Sequence, residues 1–273
     1  MRPHASRLLV GLGLSPGLFH SALGQGNADR CQRSGLRNAT DMYLESLAAG
    51  VVDPTHAGIR YAENNRDYTL GRGTLNSKPL NTSRSFSVFD QAACASYTEL
   101  VVRGPTPYVV GVQLRFFGDD AAGEPVRARL VDVVVTGAGD YNFDAGRTLD
   151  VASRVDWTPV PSGAQDPREV LQAGVDAYLD RWGWRAEIGR PVPWGTPCGR
   201  LEGSVFTPDS CATPTPDPAG PVVIDRRDVI DPALGAVHLL ATLDNAPSSY
   251  LFRLVQGKLV YVSVMAAKPV VRA

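Results

Sequence analysis

Histidine is scarce in this 273-residue chain: there are four, and two of them, His4 and His20, fall within the first two dozen residues. A Ser-His-Asp triad would have to draw on His56 or His238, and neither stands beside a nucleophile motif. There is no Gly-x-Ser-x-Gly elbow. Glycine-rich phosphate loops are missing too, because Gly11-Leu12-Gly13 lies in the leading segment and Gly137-Ala138-Gly139 follows a strand pattern without opening a helix. Cys198 and Cys211 are too far apart for a Cys-x-x-Cys knuckle, and no histidine stands at ligand spacing to either, so the expectation is no metal and no cofactor. The chain also lacks a cluster of one charge. Its 27 basic and 28 acidic residues give a net charge of −1, which argues against a nucleic-acid partner, since phosphate binding needs a basic footprint.

What is present describes an ordinary globular chain of 44% hydrophobic and 20% charged residues. Residues 1–24 read as a secretory signal: Arg2, His4 and Arg7 form a basic end, Leu8 to Phe19 is mostly apolar, and Ala22-Leu23-Gly24 offers a small-x-small cleavage site. Pro16 and the shortness of the apolar run argue against a membrane span. Four cysteines allow two disulfides in three connectivities. Our assignment is Cys198 with Cys211 and, by elimination, Cys31 with Cys94. Asn38-Ala39-Thr40 and Asn81-Thr82-Ser83 are glycosylation acceptor sequences at Asn38 and Asn81. The expected address is the secretory route or the outside of the cell.

Downstream of the signal the chain repeats itself. Leu36, Thr40, Tyr43, Leu44 and Leu47 form one helical stripe ending at Gly50, and Leu171, Val175, Tyr178, Leu179 and Trp182 form another that begins at Pro167. Leu36, Asp41, Tyr43, Leu44 and Glu45 match Leu171, Asp176, Tyr178, Leu179 and Asp180 at a constant offset of 135 (171 minus 36). Further on, Ile59 to Asn64 lies over Cys198 to Gly203, which sets Glu63 opposite Glu202. Each helix is followed by Val-, Tyr- and Phe-rich segments separated by Gly/Pro/Asp turns, four in each half. This predicts an α+β fold with one module over 25–155, a Pro/Ser/Gly/Asp linker near Asp156 to Gln165, and a second module over 166–273.

One stretch is punctuated more heavily than any other. Pro193-Trp194-Gly195-Thr196-Pro197-Cys198-Gly199-Arg200-Leu201-Glu202-Gly203 is expected to be neither a long helix nor a regular central strand. Together with Cys211, Arg226-Arg227 and Leu251-Phe252-Arg253 near Gly257-Lys258-Leu259, it resembles a family of secreted fungal proteins, mostly of unknown function. That family is built on the nuclear-transport-factor-2-like, or SnoaL-like, fold. The resemblance implies a strongly curved antiparallel sheet wrapped on helices around a conical cavity, here duplicated in tandem. The family pattern has His at the position of Tyr250, and Arg and His at those of Val260 and Val264. The Pro-rich loop Thr207 to Pro221 is also longer than its family counterpart.

A cavity walled by acids, arginines and aromatics is then the expected site. Glu63 and Glu202 are candidate general acids or bases if an apolar wall raises their pKa; the structural alternative is that each pairs with Arg60 or Arg200. Arg200, Glu202 and Arg253 are the candidate catalytic residues. Tyr61, Glu63, Trp194 and Tyr250 are the candidate substrate-binding residues, with Trp194 also suited to the core. The fold class hosts dehydratases, isomerases and cyclases that work without a cofactor. The expected function is cyclisation or cycloaddition, of hetero-Diels–Alder type, or isomerisation of a small apolar polyketide or terpenoid substrate. The alternative is a secreted non-catalytic small-molecule-binding or effector protein, and a homodimer stays open.

Overall fold

The computed structural model describes residues 31–51, 58–116, 126–183, 185, 189–212 and 219–269. The signal segment and His56 lie outside the described residues. Among the described residues no helix is long and apolar enough to cross a membrane.

The fold is α+β. Helix α1 (Arg33–Ala49) precedes β1 (Arg60–Glu63), β2 (Arg66–Tyr68), β3 (Arg84–Asp90), β4 (Ala95–Val102), β5 (Tyr108–Phe116) and β6 (Ala128–Thr136). Helix α2 (Ala145–Ala152) and a linker follow. The second half is α3 (Arg168–Leu179), β7 (Trp194–Glu202), β8 (Val205–Thr207), β9 (Val223–Asp231), β10 (Ala236–Leu243), β11 (Ala246–Val255) and β12 (Lys258–Ala266). Two six-stranded sheets result, ordered β2-β1-β6-β5-β4-β3 and β8-β7-β12-β11-β10-β9. Neighbouring strands are antiparallel except at the same place in each sheet, where β1 runs parallel to β6 and β7 to β12.

The local causes are visible in the residues. Helix α1 buries Leu36, Thr40, Tyr43 and Leu47, one stripe at helical spacing, and Gly50 closes it in the left-handed conformation (φ 66°) that glycine adopts without a Cβ clash. Helix α3 buries Leu171, Val175, Tyr178 and Leu179 and ends there, a turn short of Trp182. Burying a side chain of this size stabilises by about 1.5–3 kcal/mol. Helix α2 is not visible in the hydrophobic pattern. Its signal is Asp144, whose side chain accepts the Arg147 N–H as an N-cap.

The punctuated stretch is a strand, against expectation. Residues Gly199 to Glu202 of β7 pair with Tyr261 to Val264 of β12, and Arg200 to Glu202 pair with β8. The irregularity expected from Pro197 and the glycines appears as a register shift between Leu259 and Tyr261, beyond which only Trp194 is paired. Both assigned disulfides are present, Cys31 to Cys94 and Cys198 to Cys211.

Each sheet lays one face on its own helix. Leu36, Tyr43, Val112, Leu114 and Val131 share one core, and Leu171, Tyr178, Tyr250, Phe252 and Val262 share the other. The opposite faces pack against each other through Val88, Tyr97, Val229 and Leu251 and through Val101, Val134, Leu240 and Met265. The order is helix, sheet, sheet, helix.

Strand registers make positions in the two halves equivalent. Tyr97 pairs with Val88 and Gln113, as His238 pairs with Val229 and Leu251. Across the interface these equivalents meet. The Tyr97 ring lies on the His238 ring, centroids 3.3 Å apart, and a Cβ on Gly111 would stand 2.7 Å from Ser249 Oγ. Asp231 Oδ1 accepts Arg33 Nη1 at 2.7 Å and its Oδ2 accepts the Phe89 N–H at 3.0 Å. Reciprocally, Asp90 Oδ1 accepts Arg168 Nη1 at 2.7 Å and its Oδ2 accepts the Ile230 N–H at 2.8 Å. Such reciprocity is what an approximate two-fold arrangement imposes.

Candidate functional site

The two glutamates occupy matching places. Each is the last residue of its strand before a two-residue turn, and in each half the next N–H, of Asn64 or Gly203, is donated to the partner strand at Val133 O or Val264 O. Their surroundings differ. Glu63 is buried and accepts the Tyr61 hydroxyl together with the backbone N–H groups of Thr74 (2.7 Å) and Leu75 (2.9 Å). A carboxylate holding three donors fastens the 70s segment over the first sheet and has little capacity left for a substrate proton. Glu202 is 31% exposed, pairs with Arg200 at 2.8 Å and accepts the Tyr141 hydroxyl at 3.2 Å. The structural pairing weighed from the sequence is present for Arg200–Glu202. Arg60 instead meets Asp67 on the surface.

Trp194 and Tyr250 pack into an aromatic cluster. Tyr178 has Trp182 and Phe252 at 5.2 Å and Trp194 at 6.0 Å, and Tyr250 stacks on Phe252 at 6.1 Å. Arg181 lies over the Trp194 ring. Burial pushes the Tyr178 and Tyr250 phenols up, so both are neutral donors near neutral pH. Val264 is directly opposite Tyr250.

Arg253 is not part of that wall. It is three residues beyond Tyr250 in one strand, an odd separation that puts it on the other face. There it meets the linker. Its Nη2 donates to Thr158 O at 2.9 Å and its guanidinium lies over the Trp157 ring at 5.5 Å. Trp157 stacks on Phe86 of the first half at 4.4 Å and stands edge-on to Tyr261 at 6.2 Å. The linker thus runs between the sheets. Beside it opens a cavity of about 480 Å³, walled by Val151, Val155, Pro197, Phe206, Val260 and Tyr261, with Arg253 in the wall and Arg154, Asp156 and Asp209 also lining it. A second cleft, polar and about 360 Å³, lies between the halves, lined by Arg60, Asp67 and Asp132 of the first and by Asp225 and Arg227 of the second.

The structure therefore brings Arg200, Glu202, Trp194 and Tyr250 together, and sets Arg253 apart from them. Tyr61 and Glu63 belong to the other half. What the sequence reading missed is Trp157, the single aromatic of the linker, and Tyr261, a buried residue of β12 that meets it. Arg226 points to α3, where it meets Asp180 at 2.9 Å, and Arg227 points the other way to Asp132 at 3.3 Å. Of the acceptor asparagines, Asn38 and Asn81 are both exposed, though the Thr40 hydroxyl is buried and bonded to Ser96 Oγ at 2.7 Å. Among the described residues no group of three or more His, Cys, Asp or Glu is placed to hold a metal ion.

A family model described as a domain of unknown function, DUF8021, matches residues 164–266, the span of α3 and β7 to β12. No curated protein matches the chain. A solved nuclear-transport-factor-2-like protein from Bacteroides fragilis is similar to it at 7% identity, over 88% of this chain and 97% of that one, with a TM-score of 0.21; likeness of that degree carries nothing further.

Proposed function

We propose that this protein takes up a small, mostly apolar organic molecule in the cavity beside the linker, and that the chain is a tandem pair of nuclear-transport-factor-2-like modules, 25–155 and 166–273, joined face to face. The observation that carries the binding reading is Arg253. Its buried Nη1 has no hydrogen-bond partner among the described residues, and the side chain stands in the wall of a cavity of ordinary ligand size that is lined mostly by apolar residues, with Arg154, Asp156 and Asp209 also present. On this reading the catalytic form of the activity is a cofactor-free cyclisation, cycloaddition or isomerisation, in which the cavity sets the shape of the substrate and Arg253 holds it in place. Arg200 and Glu202 brace β7 from the other face.

The non-catalytic reading is favoured by one specific observation. Both candidate glutamates are committed, Glu63 to three donors and Glu202 to Arg200 and Tyr141, so neither is a ready proton carrier. Secretion is part of either proposal, and two disulfides suit an oxidising compartment.

The test is retention of small molecules from an organic metabolite extract, with wild type compared to Val260→Trp, which fills the cavity. Wild type should retain a compound that the variant does not, and incubating that compound with cofactor-free protein separates turnover from binding. Equal retention by both proteins moves the site out of the linker cavity.

A further inference from the structure

Several arginines that are at least partly buried in this molecule meet carboxylates at contact distance. Arg33, Arg84, Arg168 and Arg200 each have one at 2.6–2.8 Å. Arg253 is more buried than any of these, with 8% of its side chain exposed, and its nearest carboxylate, on Asp156, is 3.8 Å away and 76% exposed. Asp156 is itself held by the Thr158 N–H at 2.8 Å. The equivalent arginine of the first half, Arg115, donates to Asp228 O at 3.0 Å; burial lowers its pKa, the charges of Asp90, Asp132 and Asp228 oppose that shift, and Arg227 adds to it. Burial pushes the pKa of both guanidinium groups down, but of the two only Arg253 has a buried N–H, on Nη1, without an acceptor.

A buried charge without a close counter-charge is costly, and so is a buried N–H without an acceptor. Both lie at the Arg253 guanidinium, whose Nη1 has no acceptor and whose side chain is part of the cavity wall. The other charged residues lining the cavity, Arg154 and Asp209, are exposed, as is Asp156, so water screens them more strongly than it screens the wall. A neutral carbonyl would supply the missing acceptor but leave the charge. A carboxylate supplies both, through the short charge-assisted bond that guanidinium groups form best.

We infer that the ligand of the linker cavity is an organic acid, whose carboxylate binds the Arg253 guanidinium while its hydrocarbon body lies along Tyr261, Val260 and Phe206. This rests on the cavity being the ligand site. It makes Arg253 an anchor for a permanent charge and not a donor to the reacting oxygen.

Nile red, a neutral dye that brightens in apolar cavities, reports occupancy, and decanoate, decanol and methyl decanoate serve as displacing probes. Wild type should bind the dye and Val260→Trp should not; dye binding that is absent, or equal in both, overturns the cavity reading and this inference with it. Decanoate should displace the dye at a concentration at least tenfold below that of decanol or methyl decanoate. Equal displacement by all three overturns the acid assignment and leaves the cavity reading standing. In Arg253→Met the preference for decanoate should vanish while dye binding persists, and Arg253→Lys should keep part of it. A preference that survives intact in Arg253→Met assigns the carboxylate elsewhere. Should that variant fail to fold, the three-probe comparison on wild type still decides.

Discussion

Arg33, the first residue of α1, reaches out of its own half to Asp231, 2.7 Å away at the end of β9. Arg168, the first residue of α3, does the same to Asp90 at the end of β3, also at 2.7 Å. Both aspartates are fully buried and each also accepts a backbone N–H from the opposite sheet. The halves are latched twice, at symmetric places.

The two latches should be matched in strength. Arg33→Met and Arg168→Met should each lower unfolding stability by about 1–3 kcal/mol, the range for hydrogen bonds to charged groups, reduced because each arginine is about one third exposed. Urea denaturation of both variants measures this. A large loss for one and none for the other would mean that only one latch bears on stability.

Glu63 and Glu202 should part company on substitution. Glu63→Gln turns an amide N–H₂ toward donors it cannot accept from, which should cost about 1–3 kcal/mol. Glu202→Gln changes a partly exposed pair and should cost under about 1 kcal/mol. Thermal melts of the two variants compare them directly. The reverse order would contradict a fastening role for Glu63 and a lesser, bracing one for Glu202.

Stability should fall on mild acidification because of His238. Burial first, then the charges of Arg115 and Arg227, hold its pKa well below the usual histidine value. Gln113 Nε2 donates to Nδ1 at 3.3 Å and Ser249 Oγ lies 3.0 Å from Nε2, so the neutral ring fits and a second proton would face a donor. A depressed folded-state pKa means that the contribution is complete above the unfolded value of about 6.5. It is then lost as pH drops toward the folded value, by at most about 1.4 kcal/mol per pH unit. Denaturation at pH 7, 6 and 5 should show that slope, and His238→Phe should flatten it while keeping the stack on Tyr97.

Thiol titration under denaturing conditions without reductant should find no free thiol, since all four cysteines are paired. Opening the Cys198–Cys211 bridge by a double serine substitution should cost about 2–5 kcal/mol. Two titratable thiols in the native chain would remove one bridge from the fold.

Helices α1 and α3 were legible because Leu36 to Leu47 and Leu171 to Leu179 carry their own period, and most strands because their valines and aromatics are bounded by turn residues. Strand β7 was not. Pro197, Gly195 and Gly199 weaken every local signal, and the segment is made a strand by β12, some sixty residues away, which no window sees. The repetition of Glu63 and Glu202 could be read, but their partners could not, since the N–H groups of Thr74 and Leu75 reach Glu63 only after the chain has turned back. The separation of Arg253 from Tyr250 was available from parity alone, because residues three apart in a strand face opposite ways. Trp157 was hidden by context, as a linker composition suggests an exposed crossing and the tryptophan is what draws it between the sheets.

Residues on the axis of a homodimer meet their own copies, so a bulky side chain there can only confront a bulky one, and a small one leaves a gap. In this chain the corresponding positions belong to different codons. Gly111 yields to Ser249, and the Tyr97 ring lies flat on an imidazole whose far nitrogen bonds to that same serine. The pairing is complementary where identity would collide or hollow out. A single chain holding both halves is thus free to refine its central seam like a lock fitted to its key, an option closed to two identical subunits.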